Sequence, residues 1–170
     1  MYAKVILVSL LVFFMVGCSS ADPLQRFSLP IQLQLEANEK LNWANEVANP
    51  VAVRVYQLTK SDRFMQSEFI SLFQSDTKIL AEQLIEKQRL YPVMPNTKQQ
   101  KTLKLLPGVR YLAVLVEFSD YQQGTTKAVI EVPEDVSENT VIWLGLQGTS
   151  IKFSVIPQQS WMDSLFSWGA

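Results

Sequence analysis

Few side chains in this sequence are equipped for chemistry, and the most conspicuous is a single thiol. Cys18 is the one cysteine, and there is no histidine at all. Without imidazole the chain lacks the commonest general base and the commonest metal ligand. Acid pairs such as Glu131 and Glu134 exist, but carboxylates at strand ends and turns are usually solvated. No Gly-rich nucleotide loop is present. An enzyme, for example a cell-wall hydrolase, is therefore not expected, nor is a cofactor or a metal. The 15 Lys and Arg nearly balance 16 Asp and Glu. No basic run suggests nucleic acid.

The surroundings of Cys18 say what its sulfur is for. Lys4 provides a positive start, Val5 to Val16 is apolar apart from Ser9, and Gly17 is the small residue before the cysteine. That is the layout of a secretory signal peptide over residues 1–17. The apolar run is shorter than the roughly 20 residues of a bilayer-spanning helix. The segment Met15-Val16-Gly17-Cys18 resembles a bacterial lipobox, in which the cysteine becomes an acylated amino terminus. The alternative is ordinary cleavage nearby, with Cys18 a bystander. A diacylglycerol thioether plus an N-acyl chain would hold firmly, because each buried methylene contributes about 0.8 kcal/mol. Ser19, rather than aspartate, follows the cysteine. By analogy with the lipoprotein class, that implies export to the outer membrane, facing the periplasm.

With Cys18 acylated, no internal disulfide can form. A mature chain of about 150 residues needs none, since that length buries about 68–70% of its unfolded surface. Residues 18–30 read as a tether and 31–156 as one domain. Ile31, Leu33, Leu35 and Ala37 alternate with polar residues, as in a half-buried strand. The asparagine-rich stretch Asn38 to Asn49 reads as a loop closed by Pro50. In Val51 to Leu58 the valines share one face, while Arg54 and Tyr56 share the other, outer one. Phe69, Leu72 and Phe73 then change the period to helical, with Ser67 as N-cap. A second helix starts near Asp76, its apolar side given by Ile79, Leu80, Leu84, Ile85 and Tyr91, and Pro92 and Pro95 stop it. A helical insertion over about 64–92 results.

Further strands follow around Leu103 and Leu105, Tyr111 to Phe118, Val129 to Val132, Val141 to Leu146 and Ile151 to Ile156. Gly124 is expected at a positive φ, and Gly148 turns the last hairpin. Asp120 reads as a turn residue, with pairing to Arg54 left open. Seven or eight short strands at regular spacing predict a mainly β fold, a two-sheet antiparallel β-sandwich with a short helical insertion. Residues 157–170 form an aromatic tail, with Trp161, Leu165 and Trp168 at helical spacing beside Met162 and Phe166. The stripe packs on its own sandwich, in a partner groove, or at a membrane surface where Trp is favoured. The tail's lack of Lys and Arg ranks the partner above the membrane.

The order of several segments is similar to one family. Val53-Arg54-Val55-Tyr56-Gln57-Leu58 is followed by Phe64, Ser67-Glu68-Phe69, Leu72 and Asp76; later come Tyr111-Leu112-Ala113-Val114 and Glu117-Phe118-Ser119-Asp120-Tyr121. With the lipobox, this resembles the outer-membrane lipoprotein of type VI secretion systems, the TssJ (SciN/VasD) family, over residues 31–156. Ser119 stands where the family often has arginine. Thr125, Thr126 and Lys127 hold no tryptophan-arginine pair, and the aromatic tail is an addition. The resemblance implies a transthyretin-like sandwich and a lipid-anchored periplasmic adaptor that ties a secretion complex to the outer membrane. It implies as partner the periplasmic C-terminal domain of TssM (IcmF-like), with an outer-membrane-associated TssL/TssM core complex beyond it. The family uses the loop between the first two strands for this contact. Here that is Leu41, Asn42, Trp43, Ala44, Asn45, Glu46 and Val47, with Trp43 replacing a proline. Tryptophan is enriched among residues that dominate binding energy, although Trp43 could equally fold back as a lid on the sandwich. A periplasmic carrier of small ligands in the sandwich interior is the other reading.

Overall fold

The computed structural model describes residues 27–156. The leader at 1–17, Cys18, the tether as far as residue 26 and the aromatic tail at 157–170 lie outside the described residues. Within them run eight strands: β1 (Leu29–Ala37), β2 (Val51–Leu58), β3 (Leu84–Val93), β4 (Thr97–Leu105), β5 (Tyr111–Val116), β6 (Lys127–Glu131), β7 (Val141–Gln147) and β8 (Ser150–Ile156). One sheet has the order β4-β1-β7-β8 and the other β3-β2-β5-β6. Neighbours pair antiparallel except β1 and β7, which run parallel with Gln32 opposite Val141.

Alternation builds the core. Ile31, Leu33 and Leu35 of β1 and Ile142, Leu144 and Leu146 of β7 face Val51, Val53 and Val55 of β2 and Leu112, Val114 and Val116 of β5, all nearly fully buried in one cluster. Inward side chains from both sheets thus fill the space between them, as expected where two sheets pack about 10 Å apart. Gln57 shares the inward side of β2 yet lies at its end. Its amide donates to Lys104 O (2.8 Å) and accepts from Leu106 N–H (2.9 Å), which stitches the two sheets together.

The insertion between β2 and β3 consists of α1 (Asp62–Gln66), α2 (Phe69–Leu80) and a short 3-10 turn at Ala81–Gln83. The helical reading of 84–92 is corrected here: the insertion ends at Gln83, and Leu84–Val93 is the edge strand β3. Ala81 takes φ 45°, which ends helical geometry. An edge strand lined by Glu86, Lys87 and Arg89 buries only Leu90 and Val93 deeply, so its alternation is faint. The expected helix start near Asp76 does have a counterpart, because α2 bends at Ser75 (φ −146°, ψ 35°). Glu68, not Ser67, holds the N-cap position of α2; the Ser67 hydroxyl donates instead to Arg63 O at 2.7 Å.

Two outer residues of β2 fasten this insertion. Tyr56 and Leu58 form a second buried cluster with Phe64, Leu72 and Leu80 of the helices. The Arg54 guanidinium donates to Asp76 Oδ2 (2.9 Å), to Glu117 Oε1 (2.7 Å) and to the Phe73 carbonyl (3.0 Å), and lies over the Phe73 ring. Asp120 is therefore not its partner. Asp76 also accepts from Tyr56 OH (2.9 Å), Lys87 Nζ (2.8 Å) and the Thr77 N–H. Lys127 Nζ donates to the carbonyls of Phe64, Met65 and Ser67, placing a cation on the free acceptors of a helix end.

Burial opposes the charged form of Asp76, but the hydrogen bonds from Lys87, Arg54, Tyr56 and the Thr77 N–H outweigh it and pull its pKa from 3.8 to about 2. Burial, reinforced by the bond to Asp76, pushes the Tyr56 phenol well above its ordinary value. A carboxylate depressed in the folded state stabilises above its unfolded pKa and loses that contribution as pH falls toward its folded pKa. Asp76→Asn should therefore cost about 3 kcal/mol in urea unfolding at pH 7, since it removes the carboxylate that Arg54 and Lys87 share and leaves Arg54 with Glu117 alone. The deficit should shrink steadily between pH 4 and pH 2, where the native carboxyl itself becomes neutral. A deficit independent of pH would rule out this role.

Candidate functional site

The strand register sorts the connections to two ends. The loops 38–50, 94–96, 117–126 and 148–149 gather at the end where β1 finishes. The other end holds Leu29, where β1 starts, and Ile156, where β8 stops. β1 alone separates the ends by about 30 Å.

The β1–β2 loop is the longest of the four, and its sequence explains its shape. Asn42, Asn45 and Glu46 all have positive φ (48°, 53° and 64°). Asparagine tolerates this left-handed region better than most residues; glutamate does not. Ala44 and Val47 exchange both backbone hydrogen bonds, N–H to O at 3.0 and 3.2 Å. Two positive-φ residues between such a pair make a type I′ hairpin turn. The tip is thus a two-residue β-hairpin, Ala44-Asn45-Glu46-Val47.

Three asparagine side chains hold it. The Asn49 amide donates to Val47 O (2.9 Å), Asn42 O (3.2 Å) and Ala44 O (3.4 Å), filling the inside of the loop. Asn42 lies buried beneath; its side-chain carbonyl accepts from Ser119 N–H at 2.8 Å, and its backbone N–H donates to Gly148 O at 2.9 Å. Asn38 Oδ1 accepts from Gly148 N–H (3.2 Å), and its backbone carbonyl from Asn96 N–H (3.0 Å). Each loop of this end is therefore bonded to the β1–β2 loop. Gly124 completes the assembly, though not through a positive φ as the sequence suggested. A Cβ there would stand 2.7 Å from Thr149 O, so glycine permits the β5–β6 loop to lie against the last hairpin. Tyr121 of the same loop stacks on Phe69 of α2 at 4.8 Å.

The seven residues picked out by sequence do not share one role. Leu41 is fully buried in the core and Asn42 nearly so. These two belong to the foundation. Trp43 (52% exposed) and Val47 (54%) are turned outward, with Asn45 and Glu46 exposed and Ala44 half-buried between them. The lid over the sandwich end is Leu41, and much of the Trp43 indole stands in solvent. Asn38, Asn49 and Ser119 were missing from the sequence reading as parts of this site. The asparagine density marked a loop, but which amide faces inward depends on the loop's own turn. Chemically, the tip offers an apolar pair flanked by polar side chains on a backbone pinned by the Ala44–Val47 bonds and the Asn49 amide. That arrangement suits protein recognition, because little conformational freedom is left to lose.

Comparison with known proteins agrees with this architecture. The T6SS-SciN family model, described as type VI secretion lipoprotein (VasD, EvfM, TssJ), matches residues 29–147. No curated protein matches the chain significantly. Among solved structures, the T6SS lipoprotein TssJ1 from Pseudomonas aeruginosa superposes with a TM-score of 0.70 at 21% identity, covering 76% of this chain and 98% of that one. Serratia marcescens Lip, a membrane-bound component of the type VI secretion system, gives 0.67 at 17% identity, covering 75% and 96%. A chain in a structure described as the TssM C-terminal domain from EAEC gives 0.56 at 18%, covering 76% and 98%. At these identities the structural likeness is one of fold. The family model spans most of the chain, and the protein belongs to the type VI secretion lipoprotein family that includes TssJ and VasD.

Proposed function

We propose that this protein is a lipid-anchored periplasmic adaptor that ties the type VI secretion membrane complex to the outer membrane, gripping the periplasmic C-terminal domain of TssM with the hairpin tip Trp43–Val47. The observation that carries this reading is the polarity of the sandwich. Leu29, where β1 starts, lies at one end, and the pre-formed apolar tip stands about 30 Å away at the other. Acyl chains at Cys18 fix the first end to a membrane, and the tip faces the periplasmic space. The match to chains in structures described as a type VI membrane complex and as a TssM C-terminal domain supports the choice of partner. The TssL/TssM core lies beyond that contact. The carrier alternative is disfavoured because inward side chains of both sheets occupy the sandwich interior in one buried cluster.

Trp43 is the anchor of the tip. Truncating a central interface tryptophan typically costs 2 kcal/mol or more, about thirtyfold in affinity. Trp43→Ala should weaken binding of the TssM periplasmic domain by about that factor in calorimetry while leaving the thermal midpoint nearly unchanged. A large loss of stability with intact affinity would instead make Trp43 a lid.

Asn49→Ala removes the amide that joins three carbonyls, so it should weaken binding about tenfold with Trp43 still in place, because the tip is no longer pre-formed. Unchanged affinity would show that the scaffold is dispensable.

Cys18→Ser should move the protein from the membrane fraction to the soluble periplasm while the isolated chain still binds the TssM domain. Membrane retention with an unmodified residue 18 would overturn the anchoring.

A further inference from the structure

We propose that the outer face of the first sheet is a glycan-binding surface, which takes a stretch of the acidic amino-sugar polymer of the cell wall on the Trp143 indole; this rests on the periplasmic placement proposed above. The register lays that face out in rows across four strands. From β4 to β8, one row reads Lys98, Glu36, Gly145 and Lys152, and the next reads Gln100, Gln34, Trp143 and Ser154. The indole folds down along its own strand. A Cβ at Gly145 would run into Trp143 Cη2 and stand 2.6 Å from Cζ2, so glycine is what leaves room for the ring. Glycine weakens a strand interior, and there it often marks a site of close approach. The half-buried indole also lines a groove of about 440 Å³. A second groove of about 310 Å³ adjoins it, sharing Glu36 and Lys98 and bounded by Gln34 and Gln100. Together they make a track across the sheet about 14 Å wide, three strand spacings.

The chemistry of this track matches that of a sugar. A pyranose has an apolar C–H face, slightly electropositive, and a rim of hydroxyls and, in amino sugars, acetamides. The C–H face stacks on an aromatic ring, whose own face is negative. The rim needs donors and acceptors side by side, which a glutamine amide supplies in one planar group. Here the amides stand on β1 and β4, and Gln100 Nε2 donates to Gln32 Oε1 at 3.4 Å. Covering Gly145 accounts for the ring, but not for the polar track around it. A protein partner would require a different surface. The centre of a protein interface is apolar and depleted of charge, whereas Trp143 is the one large apolar side chain here that is not part of the core.

Charge and position favour the cell wall as the source of the glycan. Lys98 pairs with Glu36 at 3.0 Å. Lys152 is exposed and makes no ion pair among the described residues. The track thus carries a cation in surplus, and the wall polymer bears carboxylates on its lactyl and peptide branches. The larger groove lies toward the loop end, beside Asn38, Asn96 and Gln147. Glu36 stands about 23 Å along β1 from Leu29, away from the end that the anchor holds. The wall is the abundant glycan on that side of the outer membrane, and the sugars of lipopolysaccharide lie on the other.

The acylated chain in detergent micelles should sediment with purified cell-wall sacculi. In calorimetry it should bind the soluble glycan fragments that a muramidase releases from them. Trp143→Ala should weaken that binding about tenfold through the lost ring surface, and Trp143→Phe should recover part of it. Lys152→Glu changes an exposed side chain, so it reports on the groove even where Trp143→Ala fails to fold; it should weaken binding about fivefold. Absence of glycan binding by the unaltered chain would overturn the proposal while leaving the adaptor reading intact. Undiminished affinity in folded Trp143→Ala and in Lys152→Glu would also overturn it, as would a preference for lipopolysaccharide core oligosaccharide. A loss of affinity for the TssM domain in Lys152→Glu, with the thermal midpoint kept, would assign the face to that partner and overturn it as well. An unaltered chain that binds the glycan but not the TssM domain would count against the adaptor reading alone.

Discussion

Backbone groups in a turn must find hydrogen-bond partners, and at the end of this sandwich asparagine amides supply them. Three residues of the β1–β2 loop, Asn42, Asn45 and Glu46, lie in the left-handed region. Each such residue costs on the order of 1–2 kcal/mol for a side chain other than glycine. The loop keeps this shape because Asn49 closes its interior and Asn42 and Asn38 bond it to the neighbouring loops. Strain and its compensation sit within a dozen residues. What the arrangement achieves is the outward placement of Trp43 and Val47, two apolar side chains that a relaxed loop would fold inward.

A second polar network does a different job. Arg54, Tyr56, Asp76, Lys87 and Glu117 lie between the second sheet and its helical insertion, and they satisfy one another. Removing one member leaves a buried charge exposed to a poor environment, so the group acts as a unit. The network approaches the hairpin scaffold at Glu117, two residues from the Ser119 whose N–H donates to Asn42. The link between the two regions is the β5–β6 loop, which meets the helices through Tyr121 on Phe69 and the tip through Ser119 on Asn42.

Much of this was legible in the sequence, and the failures share a physical cause. β1, buried on one face, shows clean alternation, and β2, buried on both, is rich in valine; the sequence places both. β3 reads as helix because an edge strand buries little and its charged side chains blur the period of two; Leu84 also falls at helical spacing from Leu80. The parallel pairing of β1 with β7 is a long-range choice that no local pattern encodes. Arg54 was placed on the outer face, but its partner Asp76 is 22 residues away and depends on the bend at Ser75. At the site, the loop and its tryptophan were found, while the division between the buried Leu41 and Asn42 and the exposed Trp43 to Val47 depends on a type I′ turn. That turn usually announces itself with glycine, and here Asn45 and Glu46 occupy it instead.

Family membership gives the setting, and the hairpin tip is the part of the surface prepared to hold a partner. The most direct test is hydrogen–deuterium exchange of the chain with and without the TssM periplasmic domain. The expected result is new protection strongest at the amides of 42–49, with lesser protection in 117–126 and 147–150. Protection over the helices at 62–83 or the outer strand at 97–105, with the amides of 42–49 unchanged, would contradict it.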